Sequence, residues 1–270
     1  MNSDVIDLIN IAVKQIINNS SCEEKINSLR KKHDEKIHFV PKRYRIFGGL
    51  LQSMNIQFGN FIEVLMTLII ENDGRYKIIE RFSGNKNNLF ELSKINDTLI
   101  DNYITKCQTE MIDLDKEFLC LLNQIIKNKN GESNTFKHDI DILFQNIQTK
   151  TYYYLECKYN DDHDTGKFVD INRKFIKTYA YLAKELDINS PQDLVPILFF
   201  FTNKKMKGNI YIPEYSNIYR GKRFFDVFLN VKYSDVDDYL SELSENDVTI
   251  ESFQNLYRKV VESCSVCGKI

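Results

Sequence analysis

No sign of charge prevails in this chain. Its 270 residues carry 36 Lys and Arg against 38 Asp and Glu, a formal net charge of −2. That excludes a histone-like or polybasic protein holding nucleic acid by bulk charge, although local basic patches and bound cations can do the same work. There is no dense disulfide framework. The six cysteines, at positions 22, 107, 120, 157, 264 and 267, are scattered, as suits a reducing compartment. The chain does not begin with a basic stretch followed by an apolar one, so no secretory signal is predicted and a cytoplasmic location is expected. The longest apolar run, 61–70, contains Glu63 and is too short and too interrupted to span a bilayer, so no membrane association is expected. Trp is absent while Asn, Ile, Lys and Tyr are abundant, a usage that suits an AT-rich, bacterial genome. No internal repeat and no low-complexity linker is visible.

What is present is 43% hydrophobic and 27% charged residues, the balance of a folded globular chain. The length suits one domain. The first part reads as helices. Over 4–19, Ile6, Ile9, Val13, Ile16 and Ile17 share a face. Ser21 with Glu24 three residues on has the form of a capping box for a second, highly charged helix. Pro41 interrupts the pattern, and Lys42, Arg43 and Arg45 surround Tyr44 just before Gly48-Gly49. A helix over 60–71 leaves Glu63, Thr67 and Glu71 as its polar stripe. A short strand is predicted at 75–82, then helices at 97–108 and 115–127.

After the polar loop 128–133 the period changes to that of strands. Candidates are 138–144 and the Tyr-rich 151–159. An amphipathic helix over 168–186 follows, and then an apolar run, 195–201, that reads as a strand buried on both faces. Short strands and helices near 235–243 and 247–262 complete the chain.

The chemistry concentrates in 138–158. On a strand, Asp139 and Asp141 share a face, as do Glu156 and Lys158 on the next. If 147–150 form a hairpin loop, Asp141 faces Glu156 and Asp139 faces Lys158; a turn one residue different brings Asp139 beside Glu156. Like charges opposed on a sheet are destabilising, unless a cation lies between them. Mg²⁺ suits such oxygen donors. A nearby lysine can hold or deprotonate an attacking water. Together these are the equipment of metal-assisted phosphodiester hydrolysis. The bland alternative is a solvated hairpin with ordinary cross-strand ion pairs.

Asp141 followed by Glu156-Cys157-Lys158 resembles the PD-(D/E)XK nuclease motif, with helix 168–186 and strand 195–201 where that fold has its next helix and strand. The Pro of the motif is replaced by Ile140. The segment Leu155 to Lys167 further resembles type II restriction endonucleases, nearest to those that cut short palindromes with an unspecified central base. The resemblance covers roughly 136–203. It implies an α/β, restriction-endonuclease-like core, a mixed central sheet flanked by helices, with a helical N-terminal extension. One domain over 1–270 is expected, mainly helical in 1–130, catalytic in 135–203, and carrying recognition or dimerisation elements in 204–270.

By the resemblance, Asp141 and Glu156 bind Mg²⁺, the Cys157 main-chain carbonyl completes the site, and Lys158 positions the attacking water. Asp139 and Glu63 are possible further acids. The implied activity is cleavage of both strands of a short double-stranded DNA sequence, leaving 5′-phosphates, by a homodimer whose genomic neighbour is a DNA methyltransferase. A repair or junction-resolving nuclease of the same fold, or a non-catalytic DNA-binding protein, are the rival readings.

Three basic clusters are candidate DNA contacts: Lys167, Arg173, Lys174 and Lys177; Lys204, Lys205 and Lys207; and Arg220, Lys222 and Arg223. Arg220 and Arg223 are expected to read bases, and Lys174 and Lys177 to meet phosphates. The loop Asp161-Asp162-His163-Asp164 reads as structural or DNA-facing, with Asp164 or Thr165 capping the next helix. Cys264 and Cys267 make half a zinc knuckle with no second pair in view, which favours a frayed terminus. The His138-Asp139 pair matches the HD phosphohydrolase dipeptide, but that motif stands on helices and is set aside.

Overall fold

In the computed structural model, which describes residues 3–34, 36–84, 89–162 and 165–261, the early helical periodicity becomes α1 (Ser3–Ser21), α2 (Glu23–Asp34) and α3 (Lys42–Asn72). Ser21 does not cap α2; its hydroxyl donates to the Asn18 carbonyl and closes α1. Helix α3 starts far ahead of the predicted 60. Pro41 opens it, its carbonyl accepting from the Tyr44 and Arg45 amides, because the missing N–H of proline costs nothing ahead of a first turn. Two compact units form, Met1–Leu65 with Val231–Ile270, and Met66–Asn230. By length and composition α3 could cross a membrane. It also buries Ile46, Leu50, Leu65, Met66, Ile69 and Ile70, as core helices do.

The helical unit holds α1, α2, most of α3, and the later helices α8 (Tyr233–Ser244) and α9 (Asp247–Val261). Ile26, Leu29, Ile46, Leu50, Met54, Leu256 and Val260 form one of its buried clusters. The α9 side chain of Lys259 reaches the Ser21 carbonyl, and Tyr239 on α8 donates to Asn10 on α1.

The second unit is built on a mixed sheet in the order β1 (Tyr76–Ile78), β4 (Ile142–Asn146), β5 (Tyr152–Lys158), β6 (Leu194–Phe200), β7 (Ile218–Arg220). The β1–β4 and β4–β5 pairs are antiparallel, β5–β6 and β6–β7 parallel. A separate pair joins β2 (Leu89–Ser93) to β3 (Ser133–Lys137). Helices α4 (Lys94–Thr109), α5 (Leu114–Lys127) and α6 (Thr165–Glu185) share one core with Leu143, Tyr154, Leu198 and Phe200 of the sheet. On the other side, Phe144, Tyr153 and Tyr219 pack against Phe224 and Phe228 of α7 (Gly221–Phe228) through ring contacts.

The alternation in β5 explains both sides: Tyr154, Glu156 and Lys158 share one face, Tyr153, Leu155 and Cys157 the other. Strand β6 is buried along nearly all its length, as its unbroken apolar run predicts. It tolerates Pro196 because the even positions face β7: the Leu198 amide donates to Asn217, and β7 starts opposite Leu198. Pro196, lacking an N–H, falls beyond that start, and its carbonyl accepts from the Asn217 side-chain Nδ2 at 2.9 Å.

Candidate active site

The β4–β5 hairpin has the first register considered from the sequence. Ile142 pairs with Leu155 and Gln145 with Tyr152. Asn146 shapes the loop, its side-chain oxygen accepting from the Gln148 and Thr149 amides, and Lys150 closes it in the left-handed region at φ 62°. The single strand predicted over 138–144 is broken. Strand β3 ends at Lys137, the chain crosses from one sheet to the other at 138–141, and β4 starts at Ile142. The crossing is pinned by buried Ile140, whose carbonyl accepts from Gly84 at 2.7 Å, and by Ser83, whose hydroxyl accepts from the Leu143 amide.

Asp141 therefore stands at the mouth of β4 rather than within it. Its Oδ2 accepts from the Cys157 amide at 2.8 Å and from Lys158 Nζ at 3.3 Å. Lys158 Nζ also donates to Glu156 Oε1 and to the Cys157 carbonyl, both at 2.8 Å. One ammonium thus touches two carboxylates and one carbonyl, hard oxygen donors from adjacent strands. The Cys157 side chain is buried and free of disulfides.

Two residues not chosen from the sequence complete the surroundings. Tyr154 donates to Glu156 Oε2 at 2.7 Å from a buried position stacked on Phe175. Tyr154 is two positions before Glu156, so strand alternation already put it on that face. His138 Nε2 lies 3.8 Å from the same Oε2, short of a hydrogen bond, and has no hydrogen-bond partner.

The electrostatics divide the two acids. Burial, and then the Glu156 charge, push Asp141 up to about 6. Burial also works against Glu156, but Lys158 and His138 together hold it down to about 2. Lys158 is likewise opposed by burial, yet Glu156 and Asp141 keep it charged above the ordinary lysine range. In this arrangement it is a donor, not a base.

Among the described residues no three His, Cys, Asp or Glu side chains gather as a metal cluster. The donor set fits a hard cation nonetheless. A cationic group already lies among Asp141, Glu156 and the Cys157 carbonyl, and Mg²⁺ commonly keeps waters and substrate oxygens in its remaining positions. Asp139 is half-buried in the crossing segment. Glu63 is half-buried on α3 in the helical unit.

The basic clusters separate by what they touch. Arg173 and Lys177 tie α6 to α4 through Asp101 at 2.8 Å and Asp97 at 2.5 Å. Lys174 is exposed and pairs with Asp170, one turn back. Lys167 and Lys204 are exposed; Lys205 reaches Glu214 and Lys207 reaches Asp162. Arg223 gives its guanidinium to the Glu214, Tyr215 and Ile218 carbonyls. Arg220 lies over the Phe200 ring, its side chain 11% exposed, between Asp161 at 3.1 Å and Glu214 at 3.1 Å. Arg220 is thus held mainly by protein acids, though its Nη1 is buried without a hydrogen-bond partner, while Arg223 is exposed and anchored by main-chain carbonyls. Asp161 has a structural role, its buried carboxylate accepting from the Met206 and Lys207 amides. His163, Asp164, the Thr165 side chain, Cys264 and Cys267 lie outside the described residues.

The comparisons with known proteins extend over far more than this site. The family model described as "Type II restriction endonuclease, HinfI" matches residues 1–244. The protein named type II restriction enzyme HinfI, of Haemophilus influenzae, is 59% identical over 262 residues, which cover 97% of this chain and 99% of the relative. No solved structure matches the chain. With a family model spanning all but its last residues and a relative aligned almost from end to end, the chain belongs to the HinfI family of type II restriction endonucleases.

Proposed function

We propose that this type II restriction endonuclease hydrolyses both strands of a short double-stranded DNA sequence at the Asp141–Glu156–Lys158 site, with Mg²⁺ as cofactor. The observation that carries the reading is the convergence of Asp141, Glu156 and the Cys157 carbonyl on one cationic group. When bound there, Mg²⁺ supplies charge neutralisation at the scissile phosphate and a more acidic water.

The chain's own part is orientation. Asp141 and Glu156 would hold the cation. Lys158, a strong donor, orients the attacking water and stabilises charge on the phosphate oxygens. Water oxygen bonds to phosphorus, the bond to the 3′ oxygen breaks, and a proton ends on that oxygen, leaving a 5′-phosphate and a 3′-hydroxyl. Exposed Lys167, Lys174, Lys204 and Lys205 are the phosphate contacts of this unit. A homodimer matches the two-fold symmetry of a palindrome, and a DNA methyltransferase is the gene neighbour that such an activity requires for host protection.

Digestion of phage DNA with Mg²⁺ tests the reading. Discrete bands are expected, and they should vanish in EDTA. A smear, or DNA left intact, overturns it.

Tyr154→Phe keeps the ring packing but removes the donor to Glu156 Oε2. Such outer contacts commonly tune metal affinity about 10–100-fold, and a drop of that order in Mg²⁺ affinity by calorimetry is expected, with little change in fold. Unchanged affinity would show that the hydrogen bond does not orient the ligand.

Asp141 sets the pH dependence. Its carboxyl is raised to about 6 from an ordinary 3.8. Its contribution to metal-free stability is therefore complete below the unfolded value and lost as pH rises through about 6. Glu156, lowered from 4.5 to about 2, does the reverse: its contribution is present above 4.5 and lost as pH falls toward 2. Mg²⁺ needs the Asp141 carboxylate, so its affinity should fall about tenfold per pH unit below pH 6. Thermal shifts with and without Mg²⁺ at pH 5 and 7.5 check this; equal shifts at both would refute it.

A further inference from the structure

The helical unit carries a second charged site, remote in sequence from the catalytic residues. A cleft of about 610 Å³ opens between α2 and α3. Lys25, Lys32, Lys36 and Arg45 bring cationic groups to it, with His33 and His38 beside them, and no carboxylate lines it among the described residues.

Two buried nitrogens there have no partner. Arg45 Nη1 donates to the Lys36 carbonyl at 3.2 Å, but its Nε is buried without a hydrogen bond, as is His33 Nδ1. Burial, and then Arg45, Lys36, Lys32 and His38, hold His33 below the usual imidazole range, which marks the surroundings as electropositive.

The helix glycines bear on access to the cleft. Gly48 and Gly49 lie inside α3, where glycine is poorly suited. Gly49 is explained by packing, since a Cβ there would meet Leu29 at 3.0 Å. A Cβ at Gly48 would meet nothing within 4 Å, as at Gly59 later in the helix, but Gly48 borders the cleft and leaves its wall bare there. Bare helix backbone beside cations and an orphaned guanidinium N–H suits the close approach of an oxyanion.

We propose that this cleft binds a backbone phosphate of the DNA substrate. The proposal rests on the chain's being a DNA-binding nuclease, but it concerns a different unit and different residues. The ligand chemistry is a phosphate oxyanion, and the source is the duplex rather than free phosphate or a nucleotide.

The test uses the full-length protein in Ca²⁺, which should support binding with little cutting, and compares a cognate with a random duplex across a salt series. The double variant Lys32→Gln, Arg45→Gln should bind both duplexes about tenfold more weakly, with the log–log salt slope flatter by about one unit for the lost phosphate. Gly48→Ala, which favours the helix, should keep or raise Tm yet weaken both duplexes severalfold by filling the approach. Wild-type affinity and slope in both variants overturn the proposal. So does a wild type stabilised by millimolar inorganic phosphate or a mononucleotide at this cleft, with duplex binding indifferent to the substitutions. A wild type that binds no DNA at all would instead strike the reading of function.

Discussion

Lys158→Ala is expected to cut DNA cleavage by about 10²–10³-fold, the scale of losing one donor at a reacting centre, and to unsettle the metal-free protein as well. The ammonium is the shared partner of Asp141 and Glu156, whose side chains are 12% and 6% exposed. Without it two buried carboxylates face each other uncompensated, which commonly costs about 3–5 kcal/mol. Mg²⁺ should return much of that stability, because it supplies the missing positive charge. Asp141→Asn should behave oppositely. It can still accept from the Cys157 amide and no longer repels Glu156, so the metal-free protein should lose little stability. Its cleavage and its Mg²⁺-induced rise in Tm should both disappear, and Glu156→Gln should likewise abolish cleavage. Melting curves with and without Mg²⁺, beside cleavage time courses, distinguish these patterns. Near wild-type cleavage in all three variants would mean that the chemistry lies elsewhere.

Arg220→Ala carries the second large effect, and it is one of folding. The guanidinium bridges Asp161, whose side chain is 1% exposed, and Glu214, while lying 4.8 Å from the Phe200 ring centroid. Among the described residues, truncation leaves Asp161 with the Met206 and Lys207 amides, whereas Glu214 retains Lys205 at 3.3 Å. A loss of about 3 kcal/mol is expected, near the lower end for breaking a buried pair. For a domain of this size that is a fall in Tm of roughly 6–12 °C. Arg220→Lys should recover only part, since a single ammonium cannot present the guanidinium fork to both acids. A base-reading arginine would behave differently: its alanine variant would keep Tm and lose only cognate affinity. An unchanged melting point would therefore favour recognition as the role of Arg220.

These expectations differ in how far the sequence reveals them. The β4–β5 hairpin was readable from its alternation, but its register was not: two turn lengths were open, and only the fold selects the one that pairs Ile142 with Leu155. The buried strand β6 was readable from its unbroken apolar run. Together they brought Asp141, Glu156 and Lys158 to one place. Tyr154 was equally accessible by the same two-residue spacing, but a tyrosine in a Tyr-rich strand carries no chemical label.

The break at 138–141 was hidden, because alternation continues through it while the partner changes from β2 to Ser83 and Gly84. The full length of α3 was hidden by its glycines and by Pro41, which read as an interruption and in fact starts the helix. The arginines show a deeper limit. Composition reveals that Arg220 is charged, but only the fold reveals that Asp161 and Glu214 have already claimed it.

Pro196 has a consequence for how this protein behaves in a crowded cell. Strand β7 covers only the last residues of β6, so the opening half of a very apolar strand presents one side without a strand partner. An edge of that kind is a template on which another chain can add and start an aggregate. Here the template is spoiled at its centre, since Pro196 offers no N–H and its carbonyl is already taken by Asn217. In the folded protein nearly all these residues are buried, so it is on unfolding, when the edge is uncovered, that the residue least suited to a central strand should interrupt pairing with another chain.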